Sequence, residues 1–410
     1  MNPTVSKNHT LKILEWATQC AVILLILAFP FRLPYRMIPL ILLFICATVE
    51  WIVKQSWKHS ILTKRNGYFL LMLLLFLLSF VYYPFEHPYP DFKLLVEHRL
   101  SLLGFGLLGF SGILSRINRK TIYYSIIGSG LLVVACIVCI QLWQILFQGE
   151  YHTFITIRQE YINYHMGFDF SLNLGLVACG CLWMHQLKTR NTKKNLLILL
   201  PSCLFIVVLL GTEGRSGFIM SVLLTGFLFL YFLYTRSRIF FWIACLLTLP
   251  IAFYGISSHS RMGIEKIKSE PRIPLFENAL TLIKAKPLLG YGMQGAQFYT
   301  DSIRHQRHAT DSAFVNIWHR NEMVDCHNQY LQATLEYGVV GLALLLFLLG
   351  LPLFLVDKDH RLFTVLFIFL ISFQSLLDVT LFVPEFGIMF GLIMALFLSP
   401  SPISTSWRKK

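Results

Sequence analysis

Charge is scarce in this sequence. Only 14% of its 410 residues are Asp, Glu, Lys or Arg, against about 25% in an ordinary soluble domain. That deficit excludes a water-soluble enzyme and a disordered, solvated tail, since both depend on charged groups to stay hydrated. Paired cysteines outside apolar sequence are also lacking. Eight of the nine (Cys20, Cys46, Cys136, Cys139, Cys179, Cys181, Cys203 and Cys245) fall in apolar runs, and Cys326 stands alone in a hydrophilic one, which excludes a disulfide scaffold. Cys136 and Cys139 have a metal-like spacing, but they sit mid-run with no second pair, so buried packing accounts for them. After Met1–Lys12 no small-residue cleavage site follows a short apolar core, so the first run is expected to be an uncleaved anchor.

Hydrophobic sequence fills the space instead: 56% of residues, with mean hydropathy +0.62. We read twelve apolar segments, at about 13–30, 37–53, 67–84, 99–115, 121–147, 167–187, 195–211, 217–235, 239–257, 337–356, 362–377 and 385–399. Each is about as long as a helix needs to cross some 30 Å of hydrocarbon. Unpaired backbone groups are too costly in lipid for these segments to be extended. The expected fold is therefore all-α, a polytopic membrane protein with about twelve transmembrane helices and one large outer loop. With the N-terminus inside, 20 of the 35 Lys and Arg fall on the inner side, in short turns such as that carrying Lys188, Arg190, Lys193 and Lys194. Six lie in short outer loops (Arg32, Arg36, Lys93, Arg99, Arg158, Arg215) and nine in the long one. The bias of cationic residues toward cytoplasmic loops then places both termini in the cytoplasm. The net charge of +14 points to anionic lipid headgroups, because no basic stripe interleaved with aromatics suggests nucleic acid. Three regions result: 1–257 with nine spans, 258–335 as the outer loop, and 336–410 with three spans and a cytoplasmic tail.

The long loop holds five of the thirteen histidines: His259, His305, His308, His319 and His327. A loop of that length between spans is usually functional or disordered, and its amphipathic pattern favours order. One helix is expected from Pro274, with Leu275, Phe276, Ala279, Leu282 and Ile283 on its apolar face and Glu277, Asn278, Thr281 and Lys284 opposite. It stops at Pro287 and Gly290, and Arg272 stands just before it, beside free N–H groups that suit an anion. A second helix is expected over Cys326–Gly338, bringing His327, Tyr330, Leu331 and Thr334 to one face. A third element is the short outer turn Leu210–Gly217, which holds Arg215 near the headgroup level. Bland readings stand beside these. A histidine on an interfacial helix is commonly just solvated, Arg215 suits lipid phosphates equally well, and Arg272 suits plain solvation. Asp169, Asp378 and Glu385 read as helix caps near outer span ends, and Asp301, Asp311 and Asp325 are too scattered for a metal-binding acidic pair. Spacing alone says only that cations and a histidine gather near the outer leaflet.

Three motifs resemble those of the bacterial O-antigen ligase family. Thr212–Gly217, TEGRSG, resembles its first arginine segment, with Gly214 where a Ser or Thr often precedes the arginine. Arg272 with Pro287 and the LLGYG that follows resembles the second arginine block. HNQYLQATLEYGVVGL, His327–Leu342, resembles the histidine block, the most specific of the three. The resemblance implies a GT-C-type glycosyltransferase of the bacterial inner membrane with its active site facing the periplasm. Such an enzyme moves polysaccharide from an undecaprenyl-pyrophosphate-linked O-antigen donor onto a sugar of lipid A–core, building lipopolysaccharide. It also implies Arg215 and Arg272 on the pyrophosphate and His327 as the catalytic residue, with Thr212, Asn328, Tyr330 and Glu336 in support. Neither cofactor nor metal is expected, because a pyrophosphate leaves readily once guanidinium groups balance its charge. Two alternatives remain. O-antigen polymerases share the donor but tend to carry two arginine-rich outer loops, and the second outer segment here holds only Arg158. A twelve-helix transporter or flippase usually has two similar halves, and these halves show no match. Protein-directed relatives commonly carry extra C-terminal mass, whereas this sequence ends soon after its last segment.

Overall fold

The computed structural model describes residues 3–54, 64–80, 92–149, 162, 165–187, 192–211, 215–244, 246, 272–310 and 325–399. Among them every regular element is helical, as apolar runs require once water is absent. The principal helices are α1 (Pro3–Ala28), α2 (Leu33–Lys54), α3 (Lys64–Leu78), α4 (Phe92–Glu97), α5 (Leu100–Ser111), α6 (Arg119–Trp143), α7 (His165–Leu187), α8 (Thr192–Gly211), α9 (Arg215–Arg236), α10 (Arg272–Ala285), α11 (Gly292–Thr310), α12 (Gln329–Gly350), α13 (Arg361–Leu377) and α14 (Pro384–Leu398).

Among the described residues, seven stretches are long and apolar enough to cross a membrane: Thr10–Ala28, Leu33–Val53, Arg119–Gln148, Met166–Gln186, Ser216–Arg236, Gln329–Leu355 and Lys358–Leu377. The chain is thus a polytopic helical membrane protein. Four more of the twelve expected segments are helical but shorter. They are α3, α5, Leu197–Gly211 and Pro384–Leu398; at 1.5 Å per residue, the 12 residues of α5 reach only about 18 Å. The ninth segment, 239–257, lies mostly outside the described residues, as do 258–271, 311–324 and the C-terminal tail.

Helix α7 is the axis of the bundle. It packs against α6, α8, α9 and α13, and 94% of its apolar window is buried by protein. Close approach comes from small residues. The fully buried Phe205 ring of α8 fits against Gly130 of α6 and Gly175 of α7, where any Cβ would come within 2.7 Å of it. At one end of the bundle the starts of α5, α7, α9, α12 and α14 meet the end of α13. The other end carries the ion pairs Arg65–Asp357 and Arg116–Glu15. Against the first end, α10 and α11 pack on α12 around a small second core of Ala279, Leu282, Tyr291, Ala296, Cys326 and Leu335.

Two details correct the sequence reading of the outer loop. Asn278, expected on the polar face of α10, is buried beside Leu275, Ala279 and Leu282. The second helix begins at Gln329, not at Cys326, so His327 precedes it.

Candidate functional site

The geometry around His327 starts with a cap. The Asn328 side chain accepts hydrogen bonds from the Tyr330 and Leu331 N–H groups at 2.9 and 3.0 Å, satisfying donors that the first turn of α12 leaves open. Asn328 is extended, and the residue before it turns sharply. His327 has φ 44°, in the left-handed region, which a non-glycine residue occupies at a cost of about 1–3 kcal/mol, most often at functional sites. Its N–H donates to Asp325 Oδ1 at 2.7 Å, which holds the turn. The imidazole therefore does not lie along a helix face with Tyr330 and Thr334. It projects from a strained turn just ahead of the helix.

That projection meets Asp378, the residue ending α13. Nδ1 of His327 lies 3.2 Å from Asp378 Oδ1 and 3.7 Å from Asp325 Oδ1. Asp378 is buried, and its Oδ1 also accepts the Val379 N–H. A carboxylate on Nδ1 fixes the tautomer and directs the basic function to Nε2. Burial alone lowers the basicity of the ring. The Asp378 hydrogen bond and the charges of Asp325 and Asp378 raise it by more, Arg272 opposes them, and the balance stands above an ordinary histidine. Burial pushes the Asp325 carboxyl up to about 6; the imidazole pulls the other way and the Asp378 charge adds to the rise. One imidazole and two carboxylates within 4.8 Å of one another also form a donor set that a divalent cation could accept.

Arg272 is the first residue of α10, half-buried and within electrostatic reach of His327. Among the described residues no carboxylate pairs with it. Its placement follows from two glycines. Gly338 breaks the helical geometry of α12 with φ 65° and ψ −158°, and the turn after α10 docks there. Val339 N donates to Pro287 O at 2.9 Å and Tyr291 N to Leu335 O at 3.0 Å. A Cβ on Gly338 would lie 2.1 Å from Leu288 O, and one on Gly290 would lie 2.6 Å from Glu336 O. The LLGYG and EYG segments are thus the two halves of one joint, which sets α10, and with it Arg272, beside His327.

The other expected site residues are more scattered. Arg215 is the first residue of α9, but its side chain, like all of Thr212, lies outside the described residues, as do Arg158, His259 and His319. Near it, Gly217 lets the Asp169 carboxylate pack on the first turn of α9, since a Cβ there would be 2.5 Å from Asp169 Oδ2. A carboxylate suits that positive helix end. Tyr330 donates its hydroxyl to Ser372 O at 3.1 Å, tying α12 to α13. Glu336 turns away from the histidine into a buried ion pair with Arg99.

Asp378 and Asp325 were not singled out by sequence pattern; one read as a cap and the other as a scattered acid. The only local signal for Asp378 is an acidic residue at the outer end of an apolar run, 51 positions from His327.

Residues 200–346 match the protein-family model described as O-antigen ligase. Over that segment, little more than a third of its length, the chain is similar to the family. The family segment takes in Arg215, Arg272, His327, Asn328, Tyr330 and Glu336, while Asp378 and Arg99 lie beyond it. An uncharacterized protein of Haemophilus influenzae (strain ATCC 51907 / DSM 11121 / KW20 / Rd) is 23% identical over 263 residues, covering 59% of this chain. The match spans 61% of that relative's own length. Which reaction it performs depends on the site.

Proposed function

We propose that this protein is a lipid-linked polysaccharide ligase of the bacterial inner membrane. It transfers O-antigen from undecaprenyl pyrophosphate to a sugar hydroxyl of lipid A–core at the periplasmic surface. The observation that carries the reading is the convergence of Arg272, His327 and Asp378 at one end of a membrane bundle, two of the three within the family segment. Both termini are cytoplasmic in this proposal, and the twelve apolar segments all span in a GT-C-type arrangement.

The chemistry follows from what those groups can do. The acceptor hydroxyl oxygen forms a bond to the anomeric carbon, and the bond from that carbon to pyrophosphate oxygen breaks. The electron pair leaves with the pyrophosphate, whose added charge Arg272 and Arg215 stabilise. The hydroxyl proton passes to His327 Nε2, and the Asp378 carboxylate on Nδ1 stabilises the imidazolium that forms. Attack opposite the leaving group inverts the anomeric configuration. The leaving group needs no acid, so one base and two guanidinium groups suffice without metal. Asn328 caps α12 and Tyr330 braces it, so their support is indirect. Thr212 would act on the donor from the turn ahead of Arg215.

Reconstituted transfer from undecaprenyl-pyrophosphate glycan to rough lipopolysaccharide tests the proposal. Arg215→Ala, Arg272→Ala and His327→Ala should each insert normally and lose nearly all transfer. Near-normal transfer by any one of them removes that residue from the mechanism. Donor lengthening without acceptor modification would mean a polymerase.

A further inference from the structure

The buried ion pair of Arg99 and Glu336 has no part in the chemistry above, yet it sits between the two segments that bring His327 and Asp378 together. Arg99 is the residue just ahead of α5. Its Nη2 donates to Glu336 Oε1 and Oε2 at 2.7 and 2.8 Å, and Nη1 donates to Leu95 O at 2.8 Å. Its guanidinium carbon lies 4.4 Å from the centre of the Phe382 ring. Both charged side chains are almost wholly enclosed, 3% and 1% exposed. Gln332 supports the pair from the next turn of α12, donating to Glu336 Oε1 at 2.7 Å.

Each partner is tied to one half of the histidine–aspartate contact. Glu336 belongs to the helix that starts two residues after His327, and Phe382 belongs to the turn that begins at Asp378. That turn is held on its α12 side by Gln329, whose Oε1 accepts the Leu381 N–H at 2.8 Å. Asn328 donates to Leu376 O at 3.1 Å just before it. Arg99 grips the turn from the α5 side. Gly387 then packs the start of α14 onto α5, where a Cβ would meet Ser101 Oγ at 2.4 Å.

A buried ion pair is weak evidence for stability, because apolar residues of similar volume often serve as well. What a charged, planar group adds is direction: two fixed bonds to a carboxylate and a flat face for an aromatic ring. We propose that Arg99 is a positioning residue, which sets the turn 378–383 against α12 and thereby the 3.2 Å contact between Asp378 and His327. The inference rests on the role proposed above for His327.

Two substitutions each cut one leg of the clamp. Arg99→Lys keeps a cation beside Glu336 but loses the flat face over Phe382, and Phe382→Leu leaves the ion pair intact. If Arg99→Lys fails to fold, the paired replacement Arg99→Met with Glu336→Met removes both charges together. Transfer would be measured per folded molecule, as kcat and donor KM, alone and in the Asp378→Asn background. A misplaced catalytic group costs up to about a hundredfold, so kcat should fall about tenfold or more with donor KM within about twofold. In the Asp378→Asn background the same change should cost less than about twofold, because a residue acting through Asp378 has nothing left to position. An additive loss, or no loss, while His327→Ala stays inactive, would reduce Arg99 to a structural strut. Transfer by His327→Ala would instead remove the proposed function, and this inference with it.

Discussion

Replacing Asp378 by asparagine probes the heart of the site with little change of shape. The amide oxygen can still accept the Val379 N–H, which Asp378 Oδ1 now takes at 2.8 Å. What is lost is the charge 3.2 Å from His327 Nδ1, on a side chain that is itself buried. A hydrogen bond to a charged group contributes about 1.5–3 kcal/mol, and each 1.4 kcal/mol is about tenfold in rate. The plateau rate should therefore fall about ten- to a hundredfold. The pH profile carries the more specific signature. In the proposed mechanism His327 acts as a base in its neutral form, so activity should fall as pH drops through its pKa. That pKa stands above an ordinary histidine partly because Asp378 stabilises the protonated ring. Asparagine removes that stabilisation, the pKa falls, and the acid limb must move to lower pH even as the plateau drops. Rates of glycan transfer by purified wild type and Asp378→Asn, across pH 5–9 or thereabouts, would show both. An unmoved acid limb with a plateau within about twofold of wild type would refute the pairing.

Other consequences follow from neighbouring groups. Arg272→Ala should lower transfer by about a hundred- to a thousandfold, the range for losing one preorganised group on developing negative charge; Arg272→Lys should restore part of it in the same assay. EDTA should leave the initial rate unchanged. A loss restored by adding a divalent cation would mean that Asp325, His327 and Asp378 hold a metal instead of orienting a base. Gly338→Ala should destabilise the protein by more than about 1 kcal/mol, since φ is 65° there and the new Cβ would meet Leu288 O. A thermal unfolding midpoint in detergent equal to that of wild type would contradict the joint described between α10 and α12.

The sequence disclosed the membrane bundle because hydropathy sums over many residues, and each of the twelve apolar segments contains described helix, the ninth only near its start. It was less informative about reach, since a hydropathy run does not show that α3 and α5 form helices of only 15 and 12 residues. His327 and Arg272 were legible through motifs with fixed spacing. The conformation of His327 was not, because the three-and-four spacing of HNQYLQAT reads as helix from the histidine onward. Asn328, a strong cap former, was the local sign that the helix starts one residue later. The partners of these residues were hidden for a different reason. Asp378 is 51 positions from His327 and Arg99 is 237 from Glu336, and no periodicity links residues that meet only when separate helices pack.

The most direct measurement of the central claim is a product balance. Purified protein in EDTA would receive undecaprenyl-pyrophosphate glycan and rough lipopolysaccharide, with released undecaprenyl pyrophosphate and glycan-bearing lipopolysaccharide both quantified. The account predicts equal amounts of the two for wild type and neither for His327→Ala. Lipid release accompanied by a longer lipid-linked donor, or transfer undiminished by His327→Ala, would contradict it.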